Sequence, residues 1–307
     1  MRVLVTGASG FVGFAVASLL VAEGHEVIAL TRTDTAEVPK GVAHAVGDLR
    51  NREATRRALT GIEGVCHLAG LAKVRESFAR PLDYWETNVG GTLAVLNGLL
   101  EATAPTRIVL ASTCAVYGPQ AAQPMTETTS LDPSSPYGTS KLAADRAAAD
   151  LAVTGVLGAT SLRAVNIAGA AYGRVDLDES RLIPKLLAVQ QGRASEMVVN
   201  GDGSAVRDFV HVADMAAAFS LALAACEPGT WRAYNVGSGR RTKVSDVIAA
   251  AESVTGRPVP VRRRPAANEP PEVLADSGLI RAELGWQPKN SDLSEIVGDA
   301  WSALTCG

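Results

Sequence analysis

The sequence holds little cysteine, no surplus of positive charge and no long apolar run, and each shortage argues against a class of protein. Its four cysteines, Cys66, Cys114, Cys226 and Cys306, lie far apart with no C-x-x-C pair. That spacing suits reduced structural thiols and argues against a disulfide framework or a zinc site. The four histidines, His25, His44, His67 and His211, have no ligand-like spacing either, so structural or surface roles and no metal are expected. Lys and Arg number 29 against 32 Asp and Glu, a net charge of -3 without a basic block. Nothing in that balance attracts nucleic acid or an anionic membrane surface. No apolar stretch approaches spanning length. The first strand-like run starts at Arg2, leaving no room before it for the charged and apolar regions of a leader. A cytoplasmic protein with a small-molecule partner is the expectation.

What is present is a 307-residue chain that is 47% hydrophobic, large enough for one big domain or two unequal ones. It opens MRVLVTGASGFVG, where the apolar run Val3, Leu4, Val5 stops at glycines spaced three apart, Gly7, Gly10 and Gly13. Apolar residues then recur at helical spacing, Phe11, Val12, Ala15, Val16, Leu19 and Leu20, until Gly24. A strand thus passes through a tight turn into a helix N-terminus, where unpaired N–H groups and the helix dipole favour an anion. A side chain at Gly7 or Gly10 would keep a diphosphate away.

The pattern repeats. Strands are expected at His25–Leu30 and within VAHAVG, GVCHLAG and RIVLAS, with helices near Arg52–Leu59, Pro81–Ala102 and Ser140–Val153. Such units imply an α/β fold, a Rossmann-type doubly wound parallel sheet with its ligand at the carboxyl ends of the strands, where Thr6, Asp48, Ala69 and Ser112 fall. Beyond about Leu162 the alternation loosens. RLIPKLLAVQQG reads as a short amphipathic helix, and PVPVRRRPAANEPPEV as too proline-rich for a regular element. A division into 1–165, binding a dinucleotide, and 166–307, a smaller irregular substrate-binding domain, follows, with interleaving of segments left open.

In SPYGTSKLAADR, Tyr137 and Lys141 stand four apart and share one helix face. A phenol is a poor base near neutral pH, but an adjacent ammonium favours its ionised form. LASTCAVYG places Ser112 and Thr113 at the end of a strand, where a hydroxyl can reach a substrate oxygen near that phenol.

These residues, with TGASGFVG, GDLRN, HLAGLAKVRESFARPLDYWETNVGGTL, STCAVYG, SPYGTSK, LRAVNIAG, VRDFVHVAD and NVGSG, carry a resemblance across nearly the whole chain. The sequence resembles the extended short-chain dehydrogenase/reductase family and, within it, the UDP-glucose 4-epimerase group of nucleotide-sugar epimerases. The resemblance implies that Gly7, Gly10, Phe11 and Val12 form the pyrophosphate turn and that Asp48 and Leu49 contact adenine. It sets Thr31 and Arg32 near the adenosine ribose, and Leu68, Ala69, Gly70, Asn88 and Ser112 beside the cofactor. Thr113, Tyr137 and Lys141 match the catalytic hydroxyl, base and lysine, the last two also touching cofactor. Asn166, Val198, Arg207 and Arg264 match or approximate positions that hold a nucleotide sugar. The implied reaction is reversible: Tyr137, with Thr113, takes the proton of the sugar 4-hydroxyl while C4 is oxidised to a ketone by NAD. The same hydride then returns to the opposite face. Relatives dimerise through helices corresponding to Pro81–Ala102 and Ser140–Val153, so a homodimer is expected, with Ala143, Ala144, Ala147 and Ala148 permitting close approach or packing on the sheet.

Some positions depart from the pattern. Thr31 and Arg32 stand where NAD-using relatives carry an acidic residue, which keeps NADP open beside NAD. Ala164 and Asn200 replace aromatic residues, Val273 lies near the position that gates sugar bulk, and Arg264 is only the nearest match to a phosphate-gripping arginine. An NADPH-dependent 4-ketosugar reductase is the first alternative, and a non-catalytic dinucleotide sensor the second. A 4,6-dehydratase is disfavoured because Cys114 and Ala115 stand where an Asp-Glu pair would be needed.

Overall fold

The computed structural model describes residues 1–101, 106–119, 121–266 and 269–305. The helix expected to end at Ala102 therefore reaches one residue past the described stretch, and Cys306 also lies outside the described residues.

The first half alternates β1 (Arg2–Thr6), α1 (Phe11–Ala22), β2 (Glu26–Thr31), β3 (Ala43–Val46), α2 (Arg52–Ala58) and β4 (Gly64–His67). Helices α3 (Val74–Ala79) and α4 (Pro81–Tyr84), a π-helical stretch (Trp85–Gly90) and α5 (Gly91–Leu100) lead to β5 (Thr106–Thr113), α6 (Pro136–Ala152) and β6 (Leu157–Ala164). Where one helix was expected over Pro81–Ala102, the π-helical stretch thus interrupts it. Six of these strands and a later one, β13 (Trp231–Val236), form one parallel sheet in the order β13-β6-β5-β4-β1-β2-β3. The chain direction of assembly reverses between β1 and β4, which creates the crevice where such sheets bind ligands. Register pairs Thr6 with His67, and His67 with Leu110, so the carboxyl ends of β1, β4 and β5 lie side by side.

The second half supplies β7 (Asn166–Ala168), the short hairpin β8 (Ala170–Ala171) and β9 (Arg174–Val175), α7 (Leu182–Gln190), β10 (Met197–Asn200), β11 (Val206–Arg207), β12 (Phe209–His211) and α8 (Val212–Ala225). Then come β13 (Trp231–Val236), β14 (Thr242–Lys243), α9 (Val244–Thr255), β15 (Val261–Arg264), β16 (Glu272–Val273), α10 (Gly278–Leu284) and α11 (Leu293–Thr305). Strand β13 returns to the sheet beside β6, and α8 packs against α1 beneath it, so residues after 166 build part of the dinucleotide fold itself. The proline-rich stretch read as irregular contains β15 and β16. Each finds a single partner, β10 and β11, while the prolines stay outside the paired residues.

Among the described residues four apolar clusters hold the molecule, one of them a small group around Val116, Tyr117 and Met125 after β5. Val3, Val5 and Val109 meet α1 and α8 on one face of the sheet, whereas Leu4, Ile108 and Leu110 meet α2, α5 and α6 on the other. This is the period-two alternation of strands buried on both sides. The third cluster, around Leu186, Phe209, Val247 and Val297, is the core of the smaller lobe.

Candidate active site

The glycine turn behaves as its spacing suggests. Gly7 has φ +75°, and a Cβ there would sit 2.8 Å from the Ala69 amide nitrogen. Gly13 is more constrained, since its Cβ would fall 2.1 Å from the Gly7 carbonyl oxygen. The third glycine lets α1 press against the turn, and the first keeps the turn against the end of β4. Gly10 is the N-cap and offers no side chain to the first amides of α1, whose first turn carries no acidic residue. Unpartnered donors at a helix N-terminus beside a turn that excludes side chains fit the diphosphate of a dinucleotide.

Behind the turn a buried hydrogen-bond relay ties three elements together. The Thr92 hydroxyl donates to the Asn88 carbonyl at 2.6 Å and so accepts from His67 Nε2 at 3.1 Å. His67 Nδ1 is then an acceptor, taking the Thr6 hydroxyl proton at 2.8 Å. Thr6 Oγ1 in turn accepts from the amides of Leu68 and Ala69, both at 3.1 Å. Burial lowers the His67 pKa to about 3, helped by the charge of Lys141, which keeps the ring neutral as the relay requires. Histidine spacing gave no hint of this, because the relay is made by strand register and not by sequence proximity.

Asn88 lies in the π-helical stretch, whose wider turn projects it inward. Its Oδ1 accepts from the Leu71 amide at 2.8 Å, and its Nδ2 donates to Leu71 O at 3.1 Å and Ser140 Oγ at 2.9 Å. Ser140 donates to the Tyr137 carbonyl at 2.8 Å, so Asn88 links the loop after β4 to α6. Gly70 is small for the same reason: a Cβ would lie 2.8 Å from Asn88 Oδ1 and 3.3 Å from Lys141 Nζ.

Helix α6 starts earlier than expected. Ser135 caps it by accepting from the Gly138 amide at 3.1 Å, and Pro136 takes the first helical position. Tyr137 therefore sits in the first turn and Lys141 one turn on. The Tyr137 ring is buried edge-on to Tyr84, with centroids 6.2 Å apart at 81°. Burial pushes the phenol above its ordinary pKa, opposed first by a hydrogen bond with Thr113 and then by the charge of Arg181. The Lys141 ammonium donates to the Ala111 carbonyl at 2.9 Å.

Ser112 and Thr113 part company. Adjacent residues of a strand face opposite sides, so Thr113 meets Tyr137 while Ser112 turns inward and donates to Asp145 Oδ2 at 3.0 Å. Asp145 also receives Arg163 Nε at 3.2 Å, a pair with both side chains 2% exposed. Tyr137, Lys141 and Asp145 follow at four-residue intervals along α6, so the carboxylate lies one turn behind the ammonium.

Burial pulls Lys141 from 10.5 to about 8, with Asp145 opposing. The direction is the reverse of a lysine that gains a partner. Between those two values the unfolded chain binds more protons, so this residue's contribution to stability improves as pH rises through the window and is poorest below it. Wild type is therefore expected to gain stability relative to Lys141→Met between about pH 8 and pH 10, checked by urea midpoints of both proteins; a constant difference would contradict the shift.

Other expected binding residues are already engaged. The Thr31 hydroxyl donates to Thr33 O at 2.8 Å and lies 3.1 Å from His44 Nδ1, while Arg32 is exposed. The Asp48 carboxylate takes Arg50 through the backbone amide and both sides of the guanidinium, at 2.8 to 3.1 Å, and its pKa falls to about 2. Leu49 packs over Gly91, where a Cβ would come within 2.5 Å of it. Phe11 and Val12 are half-buried against the core.

In the smaller lobe, Asn166 donates to Asp208 O at 2.9 Å, and Val198 is half-buried on β10 opposite Arg262. Arg207 does not pair with Asp208, the plain alternative for it, because Asp208 is fully buried and accepts from Ser238, Gly239 and Ala275. It donates instead to the carbonyls of Val206 and Pro270 and reaches Glu269 at 3.4 Å. Arg264 is exposed and donates to Asn200. Glu269 also holds Arg75 of α3 and accepts from Asn200 at 3.4 Å, so one carboxylate joins the two lobes. Arg181 and Glu269 carried no motif in the sequence, and Arg75, though inside the HLAGLAKVRESF stretch, had no role assigned to it there.

Cys66, Cys114 and Cys226 are buried free thiols, with the pKa of each pushed up by burial. Among the described residues no helix is long and apolar enough to cross a membrane, and no acidic, histidine and cysteine cluster could hold a metal.

The likeness to known proteins is extensive. Residues 3–237 match the NAD dependent epimerase/dehydratase family. The chain is 40% identical over 314 residues to a UDP-glucose 4-epimerase of Streptomyces lividans, covering 98% of this chain and 95% of the relative. It is 37% identical over 315 residues to one of Corynebacterium glutamicum, with the same coverages of 98% and 95%. Among solved structures, the UDP-glucose-4-epimerase of Stenotrophomonas maltophila, crystallised with NAD and formylated UDP-arabinopyranose, superposes with a TM-score of 0.92 at 31% identity, over 100% of this chain and 98% of that one. Agreement of this extent in both sequence and backbone, on top of a glycine turn built for a dinucleotide, means that the chain belongs to the NAD dependent epimerase/dehydratase family.

Proposed function

We propose that the chain is a nucleotide-sugar 4-epimerase acting on a UDP- or dTDP-hexose with NAD as a resident cofactor. The observation that carries the reading is the buried Tyr137 phenol in the first turn of α6, beside Thr113 at the end of β5, with Lys141 one helical turn away at the crevice beside β1 and β4. The relatives named UDP-glucose 4-epimerase and the NAD-bound neighbour support the same choice.

In this reading Gly7, Gly10, Phe11 and Val12 hold the diphosphate of NAD. Thr31, Arg32, Asp48 and Leu49 line its adenosine end, and Leu68, Ala69, Gly70 and Asn88 shape the rest of the cleft, whereas Ser112, whose hydroxyl is taken by Asp145, supports it from behind. NAD, when bound, supplies reversible hydride transfer. Tyr137 accepts the proton of the sugar 4-hydroxyl through a hydrogen bond shared with Thr113, and later returns it to the 4-keto oxygen. Lys141, fixed by Ala111 O and backed by Asp145, supplies positive charge near the proton acceptor. The diphosphate of the substrate is gripped from the smaller lobe by Asn166 and Arg207, near Val198 and Arg264. To do so it displaces Glu269, which occupies the Arg207 guanidinium. A firm grip at the nucleotide leaves the hexose free to present either face of C4.

Cys114 and Ala115 follow Thr113 with no acid–base pair, so water elimination has no residues to perform it. A homodimer through α4, α5 and α6 belongs to the proposal. Leu82, Trp85, Leu93 and Leu100 are exposed there, whereas Ala144 and Ala148 pack inward. Reduced buried thiols suit the cytoplasm.

The test is to purify the protein and give it UDP-glucose or a dTDP-hexose with no added dinucleotide, following the sugar by NMR. Appearance of the C4 epimer is the expected outcome. NADPH consumption that needs a 4-ketosugar would show a reductase instead, and dinucleotide binding without turnover would show a sensor.

A further inference from the structure

A single side chain from the smaller lobe reaches over the dinucleotide turn. The loop joining β8 and β9 has two residues, Tyr172 at φ +53° and Gly173 at φ +75°. Two successive positive φ values are the signature of the tight hairpin turn that matches strand twist. Tyr172 adopts that conformation without being a glycine, so the hairpin holds a defined and mildly strained shape. The next residue, Arg174, crosses to the other lobe. Its guanidinium donates to the Ser9 carbonyl, within the glycine turn, at 2.8 Å and to Glu37, in the β2–β3 loop, at 2.6 Å. It also lies over the Phe14 ring of α1, 4.9 Å from the centroid. The turn, the loop and the helix that border the adenosine diphosphate end of the cleft are thus stapled together by one residue that is itself only 26% exposed at its side chain.

We propose that Arg174 is a retention latch for the dinucleotide, a positioning residue that acts through the Ser9 carbonyl and Glu37 and touches neither reacting carbon. The inference rests on the epimerase reading above, in which the cofactor stays bound from one turnover to the next. A planar fork suits the task, because its two donors fix the two loops at once and its flat face stacks on Phe14. Opening the adenosine side of the cleft breaks all three contacts together. The latch belongs to the slow step of cofactor exchange and leaves the sugar chemistry untouched.

The holoenzyme tests it. Bound NAD is chased with an excess of a fluorescent dinucleotide analogue, and its release rate is compared between wild type and Arg174→Ala. Arg174→Gln reads the same way should the alanine variant fail to fold. Release about tenfold faster, with kcat at saturating NAD unchanged, is the expected result. Release at the wild-type rate overturns the latch while leaving the epimerase reading intact. Faster release accompanied by an equal fall in kcat also overturns it, since that indicates general distortion of the cleft. A wild-type protein that binds no dinucleotide overturns the epimerase reading and the latch with it.

Discussion

Replacing Tyr137 with phenylalanine is expected to lower kcat by about 10²–10⁴-fold while leaving bound NAD in place. The magnitude is that of removing a positioned proton acceptor. The substitution deletes one oxygen from a ring that keeps its edge-on contact with Tyr84 and its place in the first turn of α6. Thr113 loses a partner but retains the Ala115 amide, which donates to its hydroxyl at 3.2 Å. The fold therefore has little reason to change, and a loss of turnover reports on chemistry. Two measurements together decide the matter: kcat for C4 inversion, and the amount of dinucleotide that purifies with the variant. A variant that keeps most of its kcat would remove Tyr137 from the reaction. One that loses both kcat and dinucleotide would make the tyrosine a structural part of the cleft.

The second large effect concerns stability. Arg163 and Asp145 are each 2% exposed and meet at 3.2 Å, and Arg163 also donates to the Tyr117 hydroxyl at 3.1 Å and stacks over that ring at 5.3 Å. Taking away the arginine leaves a buried carboxylate with only the Ser112 hydroxyl bonded to it. Breaking a buried pair from one side costs about 3–5 kcal/mol, most of it the penalty of the charge left behind. Arg163→Met is therefore expected to unfold well below wild type in urea. The double variant Arg163→Met, Asp145→Leu is expected to recover part of the loss, since no lone charge remains. Equal destabilisation of the single and double variants would show that lost packing, and not the stranded carboxylate, is responsible. The pair also bears on the site, because Asp145 stands one turn behind Lys141 and raises the pKa that burial lowers. Losing Asp145 is expected to make that ammonium easier to deprotonate.

Both predictions start from residues whose visibility in the sequence differed. Tyr137 and Lys141 were legible because helical spacing alone puts positions four apart on one face. Asp145, four further on, follows the same rule but lacked a motif to draw attention to it. Arg163 could not be read at all, since an arginine in an apolar strand gives no sign of the partner that neutralises it. Ser112 was legible as a strand-end hydroxyl, but the side it faces depends on where Asp145 and Arg163 lie behind the sheet.

The parallel sheet, the glycine turn and the helix bearing Tyr137 and Lys141 can be read from the order of residues, because these depend on residues within a few positions of one another and on the two periods of regular backbone. Long-range packing alone reveals that β13 returns to the sheet, that His67 sits neutral between Thr6 and Thr92, that Glu269 occupies Arg207, and that Arg174 reaches the glycine turn. Each of these joins residues far apart in the chain. Partners of that kind are selected by burial and by the need to satisfy polar groups removed from water, and those conditions exist only once the core has closed.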